Sequence, residues 1–477
     1  MEELRTKNTY ALVLMALGFS LGINAQDSIT YTLPQCIDLA MKQNQALMVS
    51  GFQVQNSGSA QRQAAAAVLP AISGYANQGI STGKSINPYT NTFINQEAGT
   101  GQYGINASLN LFSGLSSIHT IQQTALAHKA DKMDYEQVKI DVSIQVSMTY
   151  LQILSNEAMV NQALSQMAAT QTQLDRLKTL QANDAVNPSV FYDTRGQLAN
   201  DKLSLINARA ALLTAKLNLG QLLGISFPPN ARFEKAGSEN DLKPPVANAD
   251  LYKEVYQSIP GIRSSELRST SALKRLHAMR GAYFPVLSLN GSLGSNYSSA
   301  AFSQRLIGTS DEATGAYVNS GGSMLSVFEP RNNYQSEAIG FSSQVKNNFN
   351  TYVGLSLQVP IFNGLRNKTQ AELAKIAYHQ AEVIQKNTSV RYKAVIDQLS
   401  NDLQNAYERY EVINQQVSDY EASFKVATLK FEKGSFTTVE YTTAKNNFDK
   451  ARMNLISIRY DCILRAKVLD LYRNPGK

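Results

Sequence analysis

Two stretches of this chain contain neither glycine nor proline: residues 115–187 and 365–433. Without a breaker, each reads as a single helix able to reach about 100 Å at ~1.5 Å per residue. The second carries the positions Ile396, Leu399, Leu403, Ala406, Tyr410, Ile413, Val417, Tyr420, Phe424, Ala427 and Phe431. Their steps alternate three and four without a slip, which marks a coiled-coil seam. The first is rougher: Val146, Ile153, Val160, Ala163, Met167 and Leu174, interrupted by Asn156. Each stretch ends at a short breaker, "NDAVNPSV" (183–190) or "EKGSFTTV" (432–439), before a returning helix at about 191–222 or 440–473. A returning helix covers less than half of its partner. The segment at about 34–66 supplies a similar length, so two shorter helices end to end match one long one.

The chain is written twice. "LPAISGYANQG" (69–79) resembles "FPVLSLNGSLG" (284–294), "LNLFSGL" (109–115) resembles "VPIFNGL" (359–365), and "PSVFYDTRGQL" (188–198) resembles "TTVEYTTAKNN" (437–447). Residues 26–224 form the first repeat and 251–473 the second, leaving 474–477 as a tail. Pro228, Pro229, Pro244 and Pro245 forbid a continuous helix through 225–250, which reads as the crossover.

Each repeat holds two strand-like segments. Tyr103, Ile105, Ala107, Leu109 and Leu111 alternate with Gly104, Asn106, Ser108 and Asn110. Val353, Leu355, Leu357 and Val359 alternate with Gly354, Ser356 and Gln358, and 287–293 does the same, with 71–80 weaker. Period two gives each strand an apolar and a polar face. The polar members are Gly, Ser, Asn and Gln, with no charge, where soluble strands usually show some. Tyr75, Tyr103, Phe112, Tyr283, Tyr352 and Phe362 lie near strand ends. An interfacial aromatic belt has that placement, and packing inside a soluble core is the other reading. The connections at 82–102 and 295–350 read as exposed loops, the second long enough to hold some structure of its own.

The N-terminus sets the compartment. Arg5 and Lys7 precede an apolar run at 11–22 and small residues at 24–26. That is the pattern of a secretory signal peptide over 1–25. No cysteine sits at the cleavage point for a lipid anchor. No later apolar run reaches the length of a spanning helix, although β-strands could still cross a bilayer. A net charge of +7 spread over 477 residues is no nucleic-acid footprint. Of the two cysteines, Cys462 falls on the apolar stripe Phe448, Ala451, Leu455, Ile458, Cys462, Leu469, so a small core residue is expected in preference to a disulfide with Cys36.

A sheet that spans lipid must close on itself, and four strands cannot make a barrel. Spanning strands would therefore oblige the chain to oligomerise. Two copies give eight strands with a filled lumen, and three give twelve with an open one.

With these features in place, the mature chain over 30–473 resembles the TolC-like outer-membrane efflux proteins. The resemblance rests on the duplicated layout and on the opening "YTLPQCIDLAMKQNQAL" (31–47). Phe-x-Gly-Leu at both strand-to-helix joints (Phe112, Gly114; Phe362, Gly364) and Gly434 with Val439 and Tyr441 complete it. It implies an α+β membrane protein. The expected form is a homotrimer with a twelve-stranded β-barrel, four strands per protomer, in outer-membrane lipid, continuing as a long α-helical coiled-coil barrel into the periplasm. It also implies a periplasmic membrane-fusion adaptor and an inner-membrane transporter as partners, for drug efflux or type I secretion. Family members commonly place acids six and nine residues after the turn glycine, at a periplasmic gate. Here those positions are Glu440 and Thr443, so the second acid is missing, and the first repeat has Phe191 in the equivalent place. Glu440 can be a member of a carboxylate ring or a helix-start glutamate favoured by the dipole. Phe191 can line a constriction or be buried at the turn.

Catalysis is not expected, and neither is a cofactor. His119, His128, His277 and His379 are scattered without metal-ligand spacing, and there is no nucleophile elbow, phosphate loop or H-E-x-x-H. A secreted coiled-coil adhesin is the alternative from another class, and the internal position of the strand pairs argues against it.

Overall fold

In the computed structural model, residues 30–86, 91–95, 97–181, 187–228, 231–235 and 251–474 are described. The expected signal peptide, most of the 225–250 crossover and the end of the tail lie outside them. In chain order the elements are β1 (Thr30–Tyr31), α1 (Leu33–Gln43), α2 (Gln45–Ala66), β2 (Ala71–Ser81), β3 (Lys84–Ile86), β4 (Phe93–Asn95) and β5 (Ala98–Ser113). Then come α3 (Ser116–Gln181), α4 (Pro188–Leu223), β6 (Arg232–Phe233), α5 (Leu251–Val255) and α6 (Pro260–Gly281). β7 (Val286–Ser298), β8 (Phe302–Ser320), β9 (Ser323–Ala338), α7 (Phe341–Asn347), β10 (Asn350–Gln358), α8 (Arg366–Glu432) and α9 (Thr438–Arg473) follow. The two breaker-free stretches are thus one helix each, of 66 and 67 residues.

The chain forms two compact units. One comprises the residues up to Ser57, Ala127–Ser269 and Ala381 onward; the other comprises Gly58–Leu126 and Thr270–Gln380. Each unit takes segments from both sides of the 225–250 junction.

The first unit is helical. Cys36, Ala40, Val146, Tyr150, Ile153, Leu219, Leu223 and Phe233 make one core, and Val255, Ile259, Ile262, Tyr392, Ile396 and Val468 a second. The hydroxyl of Tyr150 lies 2.8 Å from the Glu234 carbonyl and 2.9 Å from that of Tyr31. It thereby closes the short parallel pair β1–β6 against α3. The segment 34–66 is two helices, not one. Asn44 adopts an extended backbone, and its Oδ1 accepts from the N–H groups of Ala46 and Leu47 while its Nδ2 donates to the Leu222 carbonyl. A side chain that caps the next helix competes with continuation of the last one. Asn156, the interruption in the first seam, is buried and donates to the Ala211 carbonyl on α4. Both cysteines are free and buried, each thiol pushed up to about 11 by desolvation.

The second unit is built on an antiparallel sheet of order β10–β7–β5–β2. The 295–350 connection is not a loop. β7 runs on to Ser298, β8 and β9 form a separate two-stranded ribbon over Phe302–Ala338, and α7 follows. Its alternation is broken by shifts in register between Leu306 and Gly308 and between Ala313 and Tyr317, which hides period two from a sequence scan.

Both strand-to-helix joints have the same backbone. Gly114 and Leu115 have φ of 61° and 63°, and Gly364 and Leu365 have 63° and 65°. Two successive left-handed residues turn the chain from strand to helix, and the second is a leucine, which costs about 1–2 kcal/mol in that region. The two glycines differ in surroundings. A Cβ on Gly114 would overlap the Gly281 carbonyl and the Cβ of Phe284, whereas one on Gly364 meets nothing within 4 Å. Gly364→Ala should therefore lower stability by about 1 kcal/mol through φ alone, and Gly114→Ala by about 2–4 kcal/mol. Urea unfolding followed by circular dichroism checks this; equal losses at the two sites would remove the steric argument.

Candidate functional site

The four-stranded sheet sorts its side chains by row. Ile72, Ala107, Gly291 and Val353 lie side by side across it, as do Leu109, Leu289 and Leu355, then Phe112, Leu287 and Leu357. The rows between them read Ser73, Asn106, Ser292, Tyr352, then Ser108, Asn290, Gly354, then Asn110, Ser288, Ser356. One face is Leu, Ile and Val; the other is Asn, Ser, Gly and Tyr. No strand of the sheet carries a charged residue. The apolar face is open: Ile72, Leu293, Val353, Leu355 and Leu357 are all exposed, Val353 by 79%. β2 is an edge strand with all eleven residues exposed, and β10 is the other edge. Soluble proteins blunt such edges with charge or proline.

Aromatic rings lie at both ends of the apolar face. Tyr103 and Tyr297 pack against Phe341 of α7 with ring centroids 5.7 and 5.3 Å apart. Phe112, Tyr283 and Phe284 are exposed at the other end, beside the Gly114 joint, and Phe362 is 80% exposed just before Gly364. From Tyr103 to Phe112 the strand covers about 30 Å at ~3.3 Å per residue.

The hairpin turns belong to the helical unit. Gly434 ends α8 with φ of 72°, the left-handed cap for which glycine is suited. Thr437 and Glu440 then form a reciprocal cap at the start of α9. The Thr437 N–H donates to Glu440 Oε2 at 2.7 Å, the Thr437 hydroxyl to the same oxygen at 2.8 Å, and the Glu440 N–H to Thr437 Oγ1 at 3.3 Å. These donors, and Lys430 behind them, hold the Glu440 carboxyl below the usual carboxylate range. Glu440 and exposed Thr443 lie on one open groove of about 610 Å³ with Val426, Phe436, Val439 and Asn447. Phe191 is half-buried in the first turn of α4, edge-on to Tyr192 at 5.5 Å. Residues 182–186 of the first turn lie outside the described residues.

Behind the turns is a polar cluster that sequence reading missed. Lys445 of α9 is 5% exposed and Asp201 of α4 is 6% exposed. Lys445 Nζ lies 2.8 Å from Asp449 and 3.5 Å from Asp201. Asp201 also accepts from Gln197 and from the buried hydroxyl of Thr170 on α3. Three helices, α3 and α4 before the 225–250 junction and α9 after it, are thereby tied by groups that cannot all be solvated if one partner is lost. At the surface Arg176 of α3 meets Glu432 of α8 at 3.1 Å, an exposed pair contributing about 0–1 kcal/mol.

Two of the four histidines are brought together: His119 and His277 face each other with centroids 5.2 Å apart. Among the described residues no group of three or more His, Cys, Asp or Glu is placed to hold a metal, and no helix is long and apolar enough to cross a membrane.

Removing Lys445 as Lys445→Met leaves the Asp201 carboxylate buried beside Asp449, and should cost about 3–5 kcal/mol. Asp201→Asn in the same chain should restore part of that loss, a coupling read from a double-mutant cycle. Additive losses would show that the pair does not interact. At the turn, the Glu440 cap has its folded pKa depressed. Its contribution is full above the unfolded carboxylate pKa and is lost as pH falls through the depressed value. Amide-exchange protection at 438–441, taken relative to the intrinsic rate at each pH, should fall with acid in that window, and Glu440→Gln should flatten the dependence.

A sequence model of the family described as outer membrane efflux protein matches residues 36–225 and 251–470. The chain is 25% identical over 286 residues to toxin and drug export protein A of Aggregatibacter actinomycetemcomitans, which covers 55% of this chain and 56% of that protein. The chain thus spans about half the length of the curated relatives it matches. Its fold is similar to that of CusC, with a TM-score of 0.75 at 17% identity over 96% of both chains. It is likewise similar to the Campylobacter jejuni CmeC outer membrane channel, with a TM-score of 0.75 at 18% identity over 93% of this chain and 86% of that one. At these identities the likeness is one of fold: mostly helical with a sheet, as in TolC-like channels. With the match covering most of the chain, it belongs to the outer membrane efflux protein family.

Proposed function

We propose that this protein is the outer-membrane exit channel of a tripartite efflux or type I secretion system. The observation that carries the proposal is the uncharged sheet, apolar on one face in register across four strands, with both edges open. Lipid supplies no hydrogen-bond partner, so those edges must pair with other copies. Three copies give twelve strands around a lumen lined by the Asn, Ser, Gly and Tyr rows. The apolar rows then face outer-membrane lipid. Tilted strands bring the span between the aromatic ends close to an apolar band about 25 Å tall. The family and fold are those of channels, not enzymes.

In this reading the joints Phe112–Gly114 and Phe362–Gly364 sit at the periplasmic edge of the membrane. The helices continue as an α-helical barrel into the periplasm, where a membrane-fusion adaptor and an inner-membrane transporter dock. The turns around Gly434 and Phe191 form the periplasmic gate, with Glu440 repeated three times around it and Thr443 beside it. The cap geometry supports an ionised Glu440 at neutral pH, which suits a cation-attracting ring. The uncharged lumen imposes little preference on its cargo, so the transporter selects the substrate; export is the class that the relative's name supports.

Two measurements test this. Detergent-extracted protein should run on a denaturing gel as a trimer until boiled, then as a single chain somewhat below the 52.3 kDa of the full sequence, the signal peptide having been removed. In planar bilayers it should conduct poorly at rest, and Glu440→Gln should weaken cation preference or multivalent-cation block. A monomer soluble without detergent would overturn the channel, and unchanged selectivity would remove Glu440 from its mouth.

A further inference from the structure

The ribbon β8–β9 has two unlike faces. Cross-strand pairing places Phe302, Leu306, Tyr334, Phe328, Tyr317 and Met324 on one face. All six are exposed, from 46% for Phe302 to 72% for Met324. The only charge on that face is Asp311. The opposite face carries Arg305, Glu312, Glu329, Arg331 and Glu337, with Arg305 paired to Glu337 at 3.5 Å and Arg331 to Glu312. Those ion pairs, with the Thr309–Asn332 contact on the first face and Ser310–Asn333 on the second, independently confirm which residues share a side. Val318 and Leu325, near the tip, are the large apolar residues that this pairing puts on the charged face.

The root of the ribbon is fixed. Gln344 of α7 is 1% exposed; its Nε2 donates to the carbonyls of Ser298 (2.9 Å) and Ile339 (2.7 Å), and its Oε1 accepts from the Ser298 N–H (2.9 Å). The Ile339 N–H donates to the Ala301 carbonyl at 3.0 Å. The ribbon therefore leaves β7 in a defined direction. A two-stranded ribbon is marginally stable in water without a covered face. Here a face of the order of 500 Å² stands open, taking a length of about 50 Å and a width of ~10 Å, with the six large apolar residues set among Gln304, Thr309, Asn319, Asn332 and Ser336. The largest apolar patch on a monomer, typically about 300–600 Å², is often functional.

We infer that the apolar face of the β8–β9 ribbon docks on the same face of the ribbon in neighbouring copies of this chain, so that the ribbons close together over the outer mouth of the barrel. The inference rests on the trimeric channel proposed above. Three observations favour a second copy as the occupant. The ribbon springs from β7, whose sheet already requires neighbouring copies at both edges. Its charges, two arginines against four carboxylates, leave it anionic, which disfavours an anionic lipid surface. A face of the order of 500 Å² per copy, shared between two neighbours, adds to the strand pairing at each edge of the sheet. With the apolar faces turned to the common axis, the charged faces remain in water.

The test uses the full chain in the outer membrane of whole cells. Single substitutions Met324→Cys and Phe328→Cys on the apolar face, and Glu329→Cys on the charged face, are treated with a short bis-maleimide. Cys36 and Cys462 are buried thiols held well above neutral pKa and contribute little background. Covalent dimers at Met324→Cys and Phe328→Cys, at least tenfold more than at Glu329→Cys, are the expected result. The unboiled gel of the same samples separates the two proposals. A trimer band with no dimer, and ready labelling of Met324→Cys by a water-soluble maleimide, overturns the ribbon contact and leaves the channel standing. Labelling only by a lipid-phase maleimide, again without dimers, assigns the face to the membrane surface and also overturns it. Absence of any trimer band removes both. As a second readout, Phe328→Ser with Tyr334→Ser should shorten closed lifetimes in bilayers severalfold; unchanged lifetimes would show that the ribbons do not cover the mouth.

Discussion

A peptide N–H or C=O that faces hydrocarbon without a partner costs several kcal/mol, and in the proposed barrel this requirement governs the sheet. The sheet β10–β7–β5–β2 satisfies its inner ladders and ends in two strands with open outer sides. Its register places leucine beside leucine and asparagine beside serine, so the faces differ in the solvent they suit. A one-residue slip in any strand would move an apolar set into the polar face. The bulge at Leu111, between Asn110 and Phe112, ends this regularity just before β5 gives way to the joint. The proposed trimer follows from that one sheet.

The joints show how the chain passes from one hydrogen-bonding regime to the other. A left-handed Gly followed by a left-handed Leu appears at 114–115 and again at 364–365. An unfavourable leucine conformation persists only where the surroundings over-determine it. Near the first joint the Gly281 backbone closes on Gly114, and near the second Asn367 Nδ2 donates to the Ala282 carbonyl at 2.6 Å. Both joints thus use the end of α6 as a support.

At the hairpin turns, two kinds of polar contact do different work. The Thr437–Glu440 cap is local and exposed; it sets where α9 begins. The Thr170–Asp201–Lys445–Asp449 cluster is buried and joins α3 and α4 to α9. A buried ion pair is weak evidence of net stability, since desolvation offsets much of the attraction. What it does impose is specificity: any relative displacement of α4 and α9 must uncover or separate charges. That gives the hairpins a discrete arrangement near the proposed gate.

Much of this was legible in the sequence because it is periodic. Breaker-free stretches, alternation at period two and glycine at a turn are local properties, and α3, α8 and the four sheet strands follow from them. The break at Asn44 was not legible, because an asparagine amide can serve a helix interior or a cap, and the Leu222 carbonyl that decides between them lies far along the chain. The ribbon over Phe302–Ala338 escaped because its bulges scramble the period. The Asp201–Lys445 pair and the meeting of His119 with His277 escaped because ordinary-looking charged and polar helix positions become special only when another helix buries them. By itself, then, the sequence determined the elements and the polarity of their faces, since those depend on residue spacing along one backbone. The tertiary structure alone decided which side chains share a buried site, since burial and pairing depend on distances between segments that spacing does not encode.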